Sequence, residues 1–283
     1  MFNPNIKTSY LAQMIYICAL VCIAPTVSLH AQVFDPIAQY ELNRSKNVSI
    51  ASAVQRTLQE LDKITDDKTK TEAIYTFAEY LRSQESDIQD DDPTNGDLIK
   101  LMYGVVNVYK YSLKYKTDRN AETCYRIGDY FLDPVLDKND SATKYYKIGA
   151  YNYAGQLYAD ECLMKIKDYD TLIKNYPKSK LYRQVWINKA NLTWSSNPEK
   201  TIEIYNEYFS KYIDEKNMVQ DDIWILTQRA ECYIKLKQYE NALKDYNKFL
   251  SLWKWNNSKK FEVLVGIAEI YEEEKAIDSS TIY

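Results

Sequence analysis

Between Trp224 and Leu252 the chain reads WILTQRAECYIKLKQYENALKDYNKFLSL, and small and aromatic residues recur there at helical intervals. Ala230, Tyr233, Ala242, Tyr246 and Phe249 are separated by three, nine, four and three positions. Each half therefore carries an apolar stripe on one helical face, and the interval of nine leaves room for a turn. Two helices that cross closely need small residues at the crossing and large ones beside it, which Ala230 and Ala242, then Tyr233, Tyr246 and Phe249, supply. This is the pattern of an antiparallel helical hairpin. A hairpin so short cannot bury its own stripe and requires similar neighbours.

Neighbours are legible on both sides. Ala230-Glu231-Cys232-Tyr233 is echoed as Ala268-Glu269-Ile270-Tyr271, 38 residues on, and the chain reaches Tyr283 before a second helix of that hairpin would be complete. Upstream, Ile127, Gly128 and Phe131 are answered by Ala142, Tyr146 and Gly149, with Asp133-Pro134 stopping the first helix and Asn139-Asp140-Ser141 offering a cap to the second. Gly155 and Tyr158 restart the pattern less regularly. Ala190 opens a further unit in which Asn197-Pro198-Glu199 gives a cap, a first-turn proline and a first-turn acid, and Thr201, Tyr205 and Tyr208 follow on the second helix. The small residues Gly128, Gly155, Ala190, Ala230 and Ala268 lie 27, 35, 40 and 38 apart.

These phrases resemble the tetratricopeptide repeat, or its Sel1-like relative, whose period is about 34 residues. The run Asp168 to Lys180, with Tyr176-Pro177-x-Ser179, is similar to the punctuation of exported bacterial repeat proteins such as the Tol-Pal accessory protein and the outer-membrane assembly lipoproteins. The expected fold is all-α, an α-solenoid of stacked antiparallel helical hairpins forming a superhelix, with the resemblance covering about Asn120 to the C-terminus. Residues 50–117 are expected to hold degenerate hairpins, built on Val54, Leu58, Leu61 and Ile64 and on Ile74, Phe77, Ala78 and Leu81, followed by a helix from about Leu98 to Lys116. Residues 118–283 are expected to hold the repeats, the last one incomplete.

Residues 1–31 read as a secretory signal peptide: Lys7 precedes an apolar run from Leu11 to Val27, interrupted by Pro25, and Ala31 is a small residue suited to cleavage. A retained anchor is the other reading of that run. Residues 32–49 lack periodicity and are expected to be a flexible arm. The chain so processed is exported, to the periplasm or cell envelope of a bacterium, and has no further membrane-spanning run.

Composition narrows the chemistry. Loss of residues 1–31 removes the single histidine of the chain, His30, so the mature protein holds none and cannot build a Ser-His-Asp or Cys-His pair or a histidine-ligated zinc site. Six glycines, none in a phosphate-binding pattern, exclude a nucleotide loop, and a net charge moving from −4 to about −5 opposes nucleic-acid binding. Cys124, Cys162 and Cys232 sit inside helical phrases and read as buried small hydrophobes. The acidic run ESDIQDDDPTNGD between Glu85 and Asp97 matches part of a calcium loop at Asp91, Asn95, Gly96 and Asp97, but Pro93 and Met102 stand where two ligands are needed. No metal and no cofactor are expected.

In the family resembled, the first helices of successive hairpins line a concave face that holds peptides or protein partners. By that correspondence the inward positions are Glu122, Tyr125 and Asp129, then Ile187 and Asn191, then Trp224, Thr227 and Glu231, then Glu269 and Glu272. Acids and aromatics replace the basic clamp some family members use, so the expected partner is a protein or peptide segment that is basic or bears aromatic rings. The expected function is a non-catalytic interaction scaffold of the cell envelope. The extracytoplasmic sensory part of a longer receptor is an alternative. A carboxylate-based glycan hydrolase would need two acids aimed into one closed pocket, and no pair is singled out by spacing.

Overall fold

The computed structural model describes residues 34–89, 96–212 and 218–280. The expected signal peptide and the candidate calcium ligands Asp91 and Asn95 lie outside them. The described residues are all-α, without a strand, and the chain divides into two compact units, Met1–Tyr111 and Ser112–Tyr283.

The first unit begins with a departure from expectation. The presumed arm is helical: α1, Pro36–Ser45, buries Tyr40 and Asn43. Its start is a strong local signal, because the Asp35 carboxylate accepts hydrogen bonds from the Ile37 and Ala38 amides and Pro36 occupies the first turn, where no amide partner is needed. Helices α2, Ile50–Leu61, and α3, Asp67–Ser83, are capped by Ser49 and Asp66, whose side chains accept from Ser52 N and Thr69 N. The Tyr40 ring lies 5.6 Å from Phe77 and 6.2 Å from Tyr80, which anchors α1 on α3. A short α4, Glu85–Gln89, follows, then α5, Gly96–Ser112. On α5, Leu101, Val105, Val106 and Val108 are buried, and a Cβ at Gly104 would stand 3.3 Å from Val54 Cγ2 of α2. Tyr109 and Tyr111 donate their hydroxyls to Glu79 and Asp62.

In the second unit, helices pack chiefly on those adjacent in sequence. They are α6, Asn120–Leu132; α7, Asn139–Lys147; α8, Ala159–Lys165; α9, Tyr169–Asn175; α10, Tyr182–Asn191; α11, Pro198–Tyr212; α12, Gln220–Lys235; α13, Tyr239–Leu252; and α14, Asn257–Ser280. The proline signals hold: α6 ends before Asp133-Pro134, α9 ends before Pro177, and Pro198 opens α11 behind Asn197, which accepts from Lys200 N. The cap expected of Asn139 to Ser141 does not form; Lys138 precedes α7 and no side chain caps it.

The small residues largely act as crossing points. Ala142, Ala190, Ala230 and Ala242 are fully buried. A Cβ on Gly128 would fall 2.4 Å from the Tyr146 ring, so glycine is required for that tyrosine to lie flat on α6. After α7 comes a π turn, Ile148–Asn152, in which a Cβ on Gly149 would stand 2.6 Å from Cys162 Sγ and 3.0 Å from Cys124 Cβ. Gly155 is different: it lies in the loop before α8 with φ +86 and open space around it, so it makes a turn rather than a crossing. Ala268 is also displaced from its expected role. It is exposed, and the close approach on α14 is made two residues earlier, where a Cβ on Gly266 would meet Tyr246 at 3.0 Å.

One turn geometry recurs three times. Val48 N donates to Asn43 O, Asp168 N to Leu163 O and Gln238 N to Tyr233 O, and the residue before each donor, Asn47, Lys167 and Lys237, has φ near +60. Each closes a helix by a six-to-one hydrogen bond and turns the chain back on itself.

Candidate functional site

The ten positions expected to face a partner separate into an internal group and a surface group. Glu122 is internal. It is buried and gripped by Arg119 at 3.0 Å and Arg126 at 2.7 Å. Burial alone would push its carboxyl up, but the hydrogen bonds from the two guanidinium groups outweigh it, and the group is held below the ordinary glutamate range. Asp129 accepts from the Tyr146 hydroxyl and from Lys165 Nζ, both at 2.6 Å. Tyr125 is half-buried beside them, its ring 5.2 Å from Tyr158 and 5.2 Å from Lys165 Nζ. Burial and the charge of Asp129 raise the Tyr125 phenol. Asp129 and Tyr125 therefore knit α6 to α7 and α8, while Glu122 braces α6 itself.

Ile187 packs against the cluster of Trp186, Ala190, Tyr205 and Tyr208, and Thr227 is buried, donating to Trp224 O within its own helix. Asn191 is exposed. Near the start of α10 the packing is fixed by Asp222, which is buried and accepts from Arg183 Nε at 2.7 Å, the Tyr208 hydroxyl at 2.6 Å and Val219 N at 2.9 Å. That one carboxylate ties α10, α11 and α12 together.

Trp224, Glu231, Glu269 and Glu272 remain as a surface group on α12 and α14. Trp224 is half-buried with Lys259 Nζ 4.2 Å from its ring centroid, and Lys259 also pairs with Glu262 at 2.5 Å. Glu231 is half-buried and makes no ion pair among the described residues; burial pushes its carboxyl up, Lys235 and Lys259 offset part of that, and Glu262 adds to the rise. Glu231 and Glu269 together raise the buried Tyr246 phenol, after burial itself, to about 12. Both acids thus act on one point from opposite helices. Glu269 and Glu272 are exposed. Glu231 of α12 thus shares its surroundings with Glu262 and Glu269 of α14, an acidic strip able to neutralise a cationic side chain, beside a Trp224 indole that Lys259 overlies.

A concavity of about 410 Å³ lies on α11, α12 and α13, lined by Phe209, Met218, Leu226, Arg229, Tyr233, Asn241, Lys244, Asp245 and Lys248. Its guanidinium is engaged within the fold: Arg229 makes paired hydrogen bonds to Asp245 at 2.7 and 2.6 Å and a third to Asn206. This concavity was not legible in advance, although Lys244 and Lys248 at a spacing of four mark a basic helix face.

The three described cysteines are free and buried. Burial pushes the Cys124 thiol up to about 12 and that of Cys232 up to about 11, the state of inert packing groups. No helix among the described residues is long and apolar enough to cross a membrane. Comparison with models of known protein families and with characterised proteins finds no match to this chain.

Proposed function

We propose that this chain is a non-catalytic protein-interaction scaffold, built as a solenoid of tetratricopeptide-like hairpins, exported to a bacterial cell envelope. Its partner is a segment bearing lysine or arginine together with aromatic rings. The acidic strip of α12 and α14 receives it, with Glu231 and Glu269 meeting the cations and Trp224 stacking beside them.

The observation that carries this reading is the condition of Glu231. A half-buried carboxylate with a raised pKa stands in the fold at a cost that an incoming cation would relieve, so ionisation and binding favour one another. The sequential packing of the second unit and the recurring turn support the hairpin architecture.

The test is a panel of short peptides, basic and tryptophan-bearing on one side and acidic on the other, titrated against the protein by fluorescence anisotropy. The basic set binds, more tightly as pH rises through the raised Glu231 pKa, and the double variant Glu231→Lys with Glu269→Lys loses at least about tenfold in affinity, roughly 1.4 kcal/mol. Equal affinity for acidic peptides, or indifference to the double reversal, would remove the strip as the site.

A further inference from the structure

Helix α14 has two apolar faces, and only one is used inside the chain. Val263, Gly266 and Ile270 are buried, with Gly266 against Tyr246 of α13. On the other side Phe261 is 68% exposed, Leu264 52%, Val265 40% and Tyr271 51%, and Ala268 lies exposed between them. Positions 261, 264, 265, 268 and 271 follow the three-and-four spacing of a continuous helical stripe. A stripe with four large exposed side chains on one helix marks a surface that another element covers.

We infer that a second copy of this chain covers it, with the two α14 helices antiparallel about a twofold axis beside residue 266. The stripe is self-complementary in that orientation. Phe261 of each copy falls opposite Tyr271 of the other and Leu264 falls opposite Ala268, so these two layers pair a large side chain with an aromatic or a small one, with Val265 beside the axis. The charges choose the same direction. Lys259 and Lys260 stand near the start of the helix and Glu272, Glu273 and Glu274 near its end. Lys259 and Glu273 are engaged within their own chain, by Glu262 and by the Tyr239 hydroxyl. Antiparallel pairing therefore brings Lys260 of one copy to Glu272 of the other at both ends of the contact, while Glu274 lies near Tyr239 of its own chain. Parallel pairing would set the two acidic ends side by side, and the helix dipoles also favour the antiparallel arrangement. A single helix pair lies at the small end of specific interfaces, about 1,000 Å² in total, the class of weak and transient contacts.

Sedimentation of the purified protein up to about 200 µM, a range that detects weak association, tests this. The protein dimerises, and Phe261→Glu with Leu264→Glu keeps it monomeric with an unchanged helical circular dichroism spectrum. Lys260→Glu gathers acids at both ends of the contact, and Glu272→Lys gathers lysines, so each variant alone associates at least about tenfold more weakly. An equimolar mixture of those two variants recovers association, because each supplies the charge the other lacks. A wild-type protein that stays monomeric at that ceiling, a dimer indifferent to the Phe261 and Leu264 changes, or a mixture that fails to recover would each overturn the inference.

Discussion

Glu122 shows how a single side chain changes meaning once its neighbours are placed. Read by correspondence it belonged to a binding face; in the fold it is the anion between Arg119 and Arg126. The signal was present, since arginines three before and four after a glutamate on one helix converge on it. Its carboxyl is held below the unfolded value, so its contribution is present above the ordinary glutamate pKa and is lost as pH falls through the lowered one. Glu122→Gln therefore lowers the melting temperature at pH 7, and the difference from wild type shrinks on acidification below pH ~4. A constant difference across pH would mean the loss is packing alone. Gly128 offers a second test at this scale. Alanine gains about 1 kcal/mol of helix propensity over glycine, but its Cβ would stand 2.4 Å from a Tyr146 ring pinned by Asp129. Overpacking costs about 1–3 kcal/mol, so Gly128→Ala is destabilising on balance in urea unfolding.

At the level of elements, the hairpin of α12 and α13 was legible because small and large residues alternate at the spacing of a crossing, although α12 begins at Gln220, four residues before the stretch that carries the pattern. Ala242→Glu would drive a charge into that crossing and cost a few kcal/mol or more in thermal unfolding; an unchanged melting temperature would contradict the packing described. Less was legible in α1, where Asp35-Pro36 was taken for a loop although an acid before a first-turn proline is a helix start. On α14 the echo of the Ala230 phrase misled by two residues, since matching letters do not fix which face turns inward, and Gly266 carries the contact. The turns were hidden because Lys167 and Lys237 hold a conformation usually marked by glycine. Lys237→Gly removes that strain, and stability to urea rises by about 0.5–1 kcal/mol. A fall would show that the lysine stem packs more than the backbone strains.

For the molecule as a whole, composition and pattern were enough to set an all-α chain, but the surface was decided by contacts between elements that no local spacing reports. Glu122, Tyr125 and Asp129 were drawn inward by Arg126, Lys165 and Tyr146, while Glu231 and Glu269 were left to act on Tyr246 from α12 and α14. The account rests on that surviving strip. Its most direct test is capture from a cell-envelope extract on immobilised wild-type protein beside the Glu231→Lys, Glu269→Lys variant, each partner then titrated in purified form at low and high salt. The account predicts a basic partner held by the wild type, released as salt screens the strip, and lost from the reversed variant. Equal retention by both proteins, unaffected by salt, would contradict it.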